Sequence, residues 1–460
     1  MFRSTLTRLL VGLLVLAALL FAQFLAQPLL AQTLLIEGAR VIPGDGSPAV
    51  DGAAILVESG RITRIGRDVA APTGAVRVDL AGKTIMPAII ATHVHPGFQV
   101  GTSYLAENYK RETVIADLNR ALYFGISTAM SQGVERGELL HQIRADQAAG
   151  RLGGARLMFA GRGIGAPNAG PGNPVYANFA YSLTTEADGR RAVAEQAARK
   201  VDAIKFWVDD RGGRAPKLSI PVSRAIIDEA HRQGLRVAAH IFYHDDAVAL
   251  AAAGIDLFAH LVRDKVMDDE LIGLMVKNNV YVNPNISSPE RNTHASAPPW
   301  LYEPYLAGLL NDTVAPDVIA RIRASYGRQD PSVAERNRRN YEILQRSVGR
   351  LAAAGAKIVL GSDTGLEDHF FGYAEQREME LMVTAGMTPM QVIVAATSRG
   401  AEYLKLPDTG TLAPGKRADL LVLDANPLDD IKNTRRIAKM YLNGVEVDRA
   451  ALKASLSSGR

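Results

Sequence analysis

Six residues able to bind or activate a metal ion stand in or at the ends of short apolar runs: His93, His95, Lys205, His240, His260 and Asp363. His93 and His95 are separated by one residue. On a strand, positions i and i+2 face the same way, so both imidazoles can reach one ion. His240 ends Val237-Ala238-Ala239 and His260 ends Leu257-Phe258-Ala259. The helical stretch 245–253 fits between them, and consecutive parallel strands would bring the two rings to a second ion. Lys205 lies inside Ala203-Ile204-Lys205-Phe206-Trp207-Val208. A charged lysine is costly there, and burial favours the neutral amine. That amine can take up carbon dioxide as a carbamate, N6-carboxylysine, whose two oxygens can bridge two cations; alternatively Lys205 forms a structural ion pair with a carboxylate such as Asp363. Asp363 follows Ile358-Val359-Leu360-Gly361-Ser362. It can ligate the first ion and act catalytically, taking a proton from water and returning it to a leaving group. Two cations would lower the pKa of a shared water from about 15.7 towards 7. The plain structural alternative for Asp363 is a helix N-cap formed with Thr364.

Other residues are placed to touch a substrate. Tyr243 follows the fifth candidate strand and could polarise a scissile carbonyl as a second catalytic group. Arg162 and Arg263 follow the third and sixth strands, and either could grip a carboxylate through two hydrogen bonds. His244, His294 and His369 fall in loops, and Trp300 in a long connection. The substrate-contact candidates are therefore Arg162, Tyr243, His244, Arg263, Trp300 and His369. Each has a local alternative, a loop hydrogen bond or an ion pair. His141 and His231 lie on helical stretches and are expected to face solvent.

The elements that would position these residues alternate. Candidate strands cover 84–95, 126–130, 155–161, 203–208, 236–242, 255–260, 280–286 and 357–363, most of them apolar runs suited to burial on both faces. Helical stretches include 190–199, 224–233 and 245–253; Ser219 and Pro221 read as the start of one helix and Gly234 as its end. Eight strands alternating with helices predict an α/β chain folded as a (β/α)8 TIM-like barrel over 84–407. Short strands at 34–37, 54–58 and 62–65 and again at 418–423 and 437–445 predict a small β-sandwich domain built from both terminal regions, 32–83 and 408–460. More than forty residues separate the seventh strand from a helix near 332–351. They carry Pro298, Pro299, Trp300, Tyr302 and Tyr305, and 288–331 reads as a lid over the carboxyl ends of the strands, or else as a surface appendage.

The chain contains no cysteine, which excludes disulfides, thiolate metal sites, a cysteine nucleophile and lipid attachment. Arg3 and Arg8 precede an apolar stretch, 9–20, followed by small residues at Ala22, Ala26 and Ala31. This layout reads as a signal peptide over 1–31 and an exported, periplasmic or secreted, protein. An uncleaved membrane anchor is the alternative, weakened by Gln23, Gln27 and Pro28 within the run. The leader contributes two arginines and no acid to the formal net charge of +4. No lysine or arginine block stands out, so a nucleic-acid partner is not expected. The expected partner is a small-molecule substrate, with homo-oligomer formation left open.

On these motifs the chain resembles the amidohydrolase superfamily, nearest to its imidazolonepropionase-like and Xaa-Pro dipeptidase-like members. The resemblance rests on Met86-Pro87 leading into His93-Val94-His95, Ile204-Lys205, His240, Gly254-Ile255-Asp256 leading to His260, Gly361-Ser362-Asp363, and the closing stretch from Leu412 to Leu420. It implies that the more buried ion is held at His93, His95, Lys205 and Asp363, and the other at Lys205, His240 and His260, with carboxylated lysine as the bridge. Imidazolonepropionase itself uses one ion and no bridging lysine, so Lys205 points to the binuclear branch. Ala88 stands where relatives usually carry glycine, which puts local backbone geometry in question.

The expected activity is metal-dependent hydrolysis of an amide C–N bond in a dipeptide or N-acyl amino acid. Two divalent ions, zinc in the first instance, would supply it, although the same nitrogen and oxygen donors suit manganese, cobalt or iron. A lactonase or phosphotriesterase on the same site is the alternative. A silent binding protein that kept only the scaffold would be expected to have lost donors, and all six are present.

Overall fold

Chains of apolar and β-branched residues that are buried on both faces pair in parallel, and eight such segments form a ring here. The computed structural model describes residues 33–458, apart from 170–173, 177, 327, 329 and 366–368. The expected signal peptide, 1–31, lies outside the described residues. The barrel strands are Ile89–Val94, Ile126–Ser131, Arg156–Phe159, Ala203–Val208, Arg236–Ile241, Leu257–Ala259, Tyr281–Asn283 and Lys357–Ile358. The first three pair in parallel, as do the last five. Two sets of backbone bonds join these groups into a (β/α)8 barrel. Asp202 N donates to Phe159 O at 2.9 Å between the third and fourth strands. Thr92 N to Leu360 O at 2.8 Å and His95 N to Thr364 O at 2.7 Å join the eighth to the first.

Strand alternation sorts the side chains. Ile90, Met130, Ala203, Ala238, Leu257, Ala259 and Val359 form one cluster, the filling of the barrel. Their neighbours Ile204, Phe206, Val237, Ala239, Phe258 and Leu360 belong to a separate core shared with the surrounding helices. One helix, Ile220–Arg232, begins where the sequence places it, with Ser219 accepting from Val222 N.

One expectation is corrected in detail. The run 84–95 is two strands, not one. Thr84–Pro87 pairs with Leu420–Leu423 in the terminal sheet, and the barrel strand begins only at Ile89. Ala88, the joint between them, donates to Asp419 O at 3.0 Å and has no left-handed φ, so it is an unstrained substitute for glycine. The terminal β domain, built from both terminal regions as expected, is hydrogen-bonded as one continuous eight-stranded sheet. The reason is Leu34–Val41. One edge of it pairs with Val50–Glu58, while the other pairs with Val76–Asp79 along its first half and Thr84–Pro87 along its second.

The 288–331 segment is mainly helical, with Pro304–Thr313 and Pro316–Tyr326 as its longer helices. Leu306, Leu310, Val318 and Ile322 pack with Tyr123, Phe124, Phe370 and Tyr373 of the barrel's helical layer. It is a packed subdomain, and Trp300 within it lines a cavity with His369.

Candidate metal centre

The six donors converge at the carboxyl ends of the strands, and three local devices aim them. The first strand slips register against the second between Ala91 and Val94. Such a bulge re-aims the chain and lets His93 and His95 share the barrel mouth. Period two would send His260 outward, because Leu257 and Ala259 point in; a φ of 148° turns it back. Asp363 takes a left-handed φ of 59°, a conformation that Asp tolerates better than most residues. It caps no described helix, which removes the structural alternative for this residue. Close packing does the rest. A Cβ on Gly361 would lie 2.5 Å from Asn283 Nδ2 and 2.8 Å from His93 Cβ, and one on Gly133 would lie 2.6 Å from Lys205 Cγ.

Asp363 Oδ1 lies 3.0 Å from His95 Nε2 and 3.3 Å from His93 Nε2. Ring centroids are 5.1 Å apart for His93 and His95, 5.3 Å for His93 and His260, and 4.5 Å for His240 and His260. His93, His260 and Asp363 each offer a ligand atom within 4.8 Å of the others. Lys205 is buried, and its charge acts on both His93 and His240.

The electrostatics suit cations. Burial lowers the pKa values of His93 and His260 well below the usual imidazole value and that of His240 to about 4, so the rings are neutral with a lone pair to give. Burial lowers Lys205 to about 7, with Asp363 and Glu135 opposing it. For Asp363 burial acts upward, and the hydrogen bond with His95 and the nearby His93 and His260 outweigh it, leaving the carboxylate ionised. His95 Nδ1 is buried with no partner. Neutral nitrogens, one ionised carboxylate and a neutral amine fit divalent cations well.

Three residues not singled out in the sequence join this site. Asp209, after the fourth strand, places Oδ2 3.2 Å from His240 Nε2 and 3.0 Å from Arg211 Nη1. Asn285, in a left-handed turn after the seventh strand (φ 49°), lies 2.8 Å from His93 Nδ1 and 3.1 Å from His260 Nδ1. Glu135 is buried near Lys205, bonded to Ser131 Oγ and to Gly133 N; burial raises it to about 8. The position of Asp209 directly after a ligand-bearing strand was a usable signal. Asn285 and Glu135 read as ordinary turn residues.

The substrate-contact candidates separate. Arg263 lies within the electrostatic reach of Asp363 and Asp209, over the Phe242 ring at 5.9 Å. Its guanidinium makes no hydrogen bond or ion pair among the described residues. Arg162 is exposed instead, donating to Ala180 O at 3.0 Å and lying over Tyr181 at 4.4 Å. Tyr243 donates to Asp210 Oδ1 at 2.8 Å. His244 is not a loop residue. It opens the helix His244–Ala252, its backbone N donates to Asp264, and its Nε2 lies 2.9 Å from Asp268 Oδ1. His369 stands 3.1 Å from Ser362 O, beside Asp363, and lines a narrow cavity with Trp300, Arg291 and Tyr326. His294 is half-buried near Glu290. His231 is exposed as expected, whereas His141 is half-buried edge-on against Phe159.

The model described as "Amidohydrolase family" matches residues 84–447. An uncharacterised protein of Mycobacterium tuberculosis is 26% identical over 395 residues, covering 84% of this chain and 90% of the relative. Ochratoxinase of Aspergillus niger is 26% identical over 442 residues, covering 87% of this chain and 83% of that protein. A solved Xaa-Pro dipeptidase with methionine bound in its active site superposes with a TM-score of 0.71 at 22% identity, covering 90% of this chain and 100% of that one.

Proposed function

Since the chain belongs to the amidohydrolase family and is a hydrolase of carbon–nitrogen bonds, we propose that it cleaves the amide bond of a small substrate bearing a carboxylate, on a two-ion centre. The observation that carries this reading is the pairing of a buried, cation-seeking donor set with a neighbouring arginine whose guanidinium makes no ion pair among the described residues.

His93, His95 and Asp363 would hold one ion, His240 and His260 the other, and Lys205 as a carbamate would stand between them. Bound divalent ions supply Lewis acidity, lowering the pKa of water and polarising a carbonyl. Burial lowers the Lys205 pKa to about 7, so a large share of its amine is neutral and open to carbamate formation at neutral pH, and the anion it would become removes the cost of a buried ammonium. Asp363 takes the proton from attacking water at a carboxylate oxygen and delivers it to the leaving nitrogen. Arg263 orients the substrate by its carboxylate, and Phe242 fixes the plane of the guanidinium. Trp300, from the 288–331 segment, and His369 form apolar and polar parts of one cavity wall.

Dipeptides and N-acyl amino acids are the substrate class, supported by the likeness to a dipeptidase fold and by Arg263. Zinc is the expected metal. The test is elemental analysis of purified protein followed by a panel of dipeptides, N-acyl amino acids, lactones and aryl phosphotriesters. Two ions per chain and turnover of the carboxylate-bearing amides support the reading; absence of metal, or turnover restricted to lactones or phosphotriesters, overturns it. We further propose export, on the leader layout of residues 1–31, checked by the N-terminus of protein recovered from outside the cytoplasm. No helix among the described residues is long and apolar enough to cross a membrane.

A further inference from the structure

The centre has four imidazoles, and each must present the correct nitrogen before it can hold an ion. A neutral imidazole carries its proton on one nitrogen and a lone pair on the other, and the partner of the first decides which is free. His240 has its own partner, Asp209, at Nε2. His93 and His260 share one.

Asn285 sits between these two rings, on the Nδ1 side of both, at 2.8 Å and 3.1 Å. It is 1% exposed, so water does not compete for the amide. The backbone there is left-handed, a conformation in which asparagine is enriched. Two amide orientations are open to it, because the nitrogen and oxygen of the group have the same shape. With the nitrogen towards the rings, Nδ2 donates to both Nδ1 atoms, Oδ1 is buried without a donor, and each ring carries its proton at Nε2. His93 Nε2 faces Asp363 at 3.3 Å, the direction from which an ion would be bound. A proton there blocks ligation. With the oxygen towards the rings, its two lone pairs accept one N–H from each, and both Nε2 atoms are free.

We propose that Asn285 is the positioning residue that couples the two halves of the metal centre: in the loaded protein its side-chain oxygen accepts the Nδ1–H of His93 and of His260, so one amide orients a ligand of each ion. The inference rests on the two-ion reading above. It makes a prediction that simple packing does not. An acceptor of similar size at position 285 preserves metal binding, and an apolar isostere does not. Partners of this kind are worth about 10–100-fold in metal affinity.

The experiment strips the full-length protein with a chelator and titrates it with Co2+ against a chromophoric competitor, comparing wild type, Asn285→Leu and Asn285→Asp. The expected result is a loss of about 10–100-fold in affinity for both ions in N285L, with N285D within a few-fold of wild type. Equal affinity in N285L and wild type overturns the proposal, and so does an N285D as weak as N285L. Should N285L fail to fold, nitrogen-15 imidazole NMR of the zinc-loaded wild type decides independently. Protonated Nδ1 on His93 and His260 supports the assignment, and zinc bound at either Nδ1 overturns it. A wild-type chain that takes up no cobalt defeats the metal-centre reading itself, an outcome distinct from normal binding by N285L.

Discussion

Two clusters of buried ionisable side chains lie close to each other in this molecule, and they are built on opposite plans. At the base of the 288–331 segment, Arg377 meets Glu290 with two nitrogens, at 2.6 and 3.1 Å, and Glu380 with a third at 2.8 Å. Arg435 bonds the other oxygen of Glu380 and approaches Glu303 at 3.4 Å. Every charge there has its counter-charge. At the barrel mouth His93 and His95 lean on Asp363 and His240 on Asp209, Lys205 makes no ion pair, and the Arg263 guanidinium makes no hydrogen bond or ion pair among the described residues. Burial of a charge is tolerated when it is paired and resisted when it is not. The first cluster is complete as protein. The second is the one that the proposed function completes with cations and an anionic ligand, and that asymmetry separates a structural network from a candidate active site.

The contrast can be broken from either side. The largest effect is expected for Lys205→Ala. Loss of the bridging group should leave fewer than two ions per chain and lower turnover by about a thousandfold, several kcal/mol of transition-state stabilisation. Elemental analysis and kinetics on the best panel substrate would show it, and full metal content with full activity would sink the assignment. Arg377→Met should do the reverse. Leaving the buried Glu290 with only the half-buried His294 as partner costs up to about 3–5 kcal/mol of stability. Urea unfolding reads that loss, while the folded fraction keeps its metal. Arg263→Met should raise KM about 10–100-fold for substrates with a free carboxylate, the worth of hydrogen bonds to a charged group. The corresponding carboxamide substrates should be almost unaffected.

The smallest effect concerns Glu135. Its pKa in the fold, about 8, lies above the ordinary carboxyl value because burial disfavours the anion. A raised folded pKa contributes stability that is fully present below the unfolded value and is lost as pH rises through about 8. Glu135→Gln does not titrate and escapes that loss. Its melting temperature relative to wild type should therefore climb by a few degrees between about pH 5 and pH 8. A difference independent of pH would mean that the carboxyl is ionised throughout.

The barrel and the six donors were legible in the chain because each donor stands in or at the end of an apolar run. That pattern is local, and burial on both faces enforces it. The double role of 84–95 was not legible, since nothing in the run marks where the terminal sheet releases it. Arg162 and Arg263 look alike in sequence, both following barrel strands. Only packing shows that one stacks on Tyr181 at the surface while the other is held unpaired beside the donors. Asn285 and Asp209 went unnoticed for a related reason. Their significance lies in what they touch, His93 and His260 in one case and His240 in the other, and those partners come from distant strands.

By itself the sequence determined which chemical groups are present and that most of them stand at the ends of apolar strands, because the pleat of a strand puts residues two apart on one face and burial selects the apolar runs. The tertiary structure decided which nitrogen of each ring faces the centre, which arginine keeps its charge free, and where a bulge or a positive φ overrides the alternation. Those outcomes depend on hydrogen bonds and desolvation between segments far apart in the chain, and no local pattern encodes them.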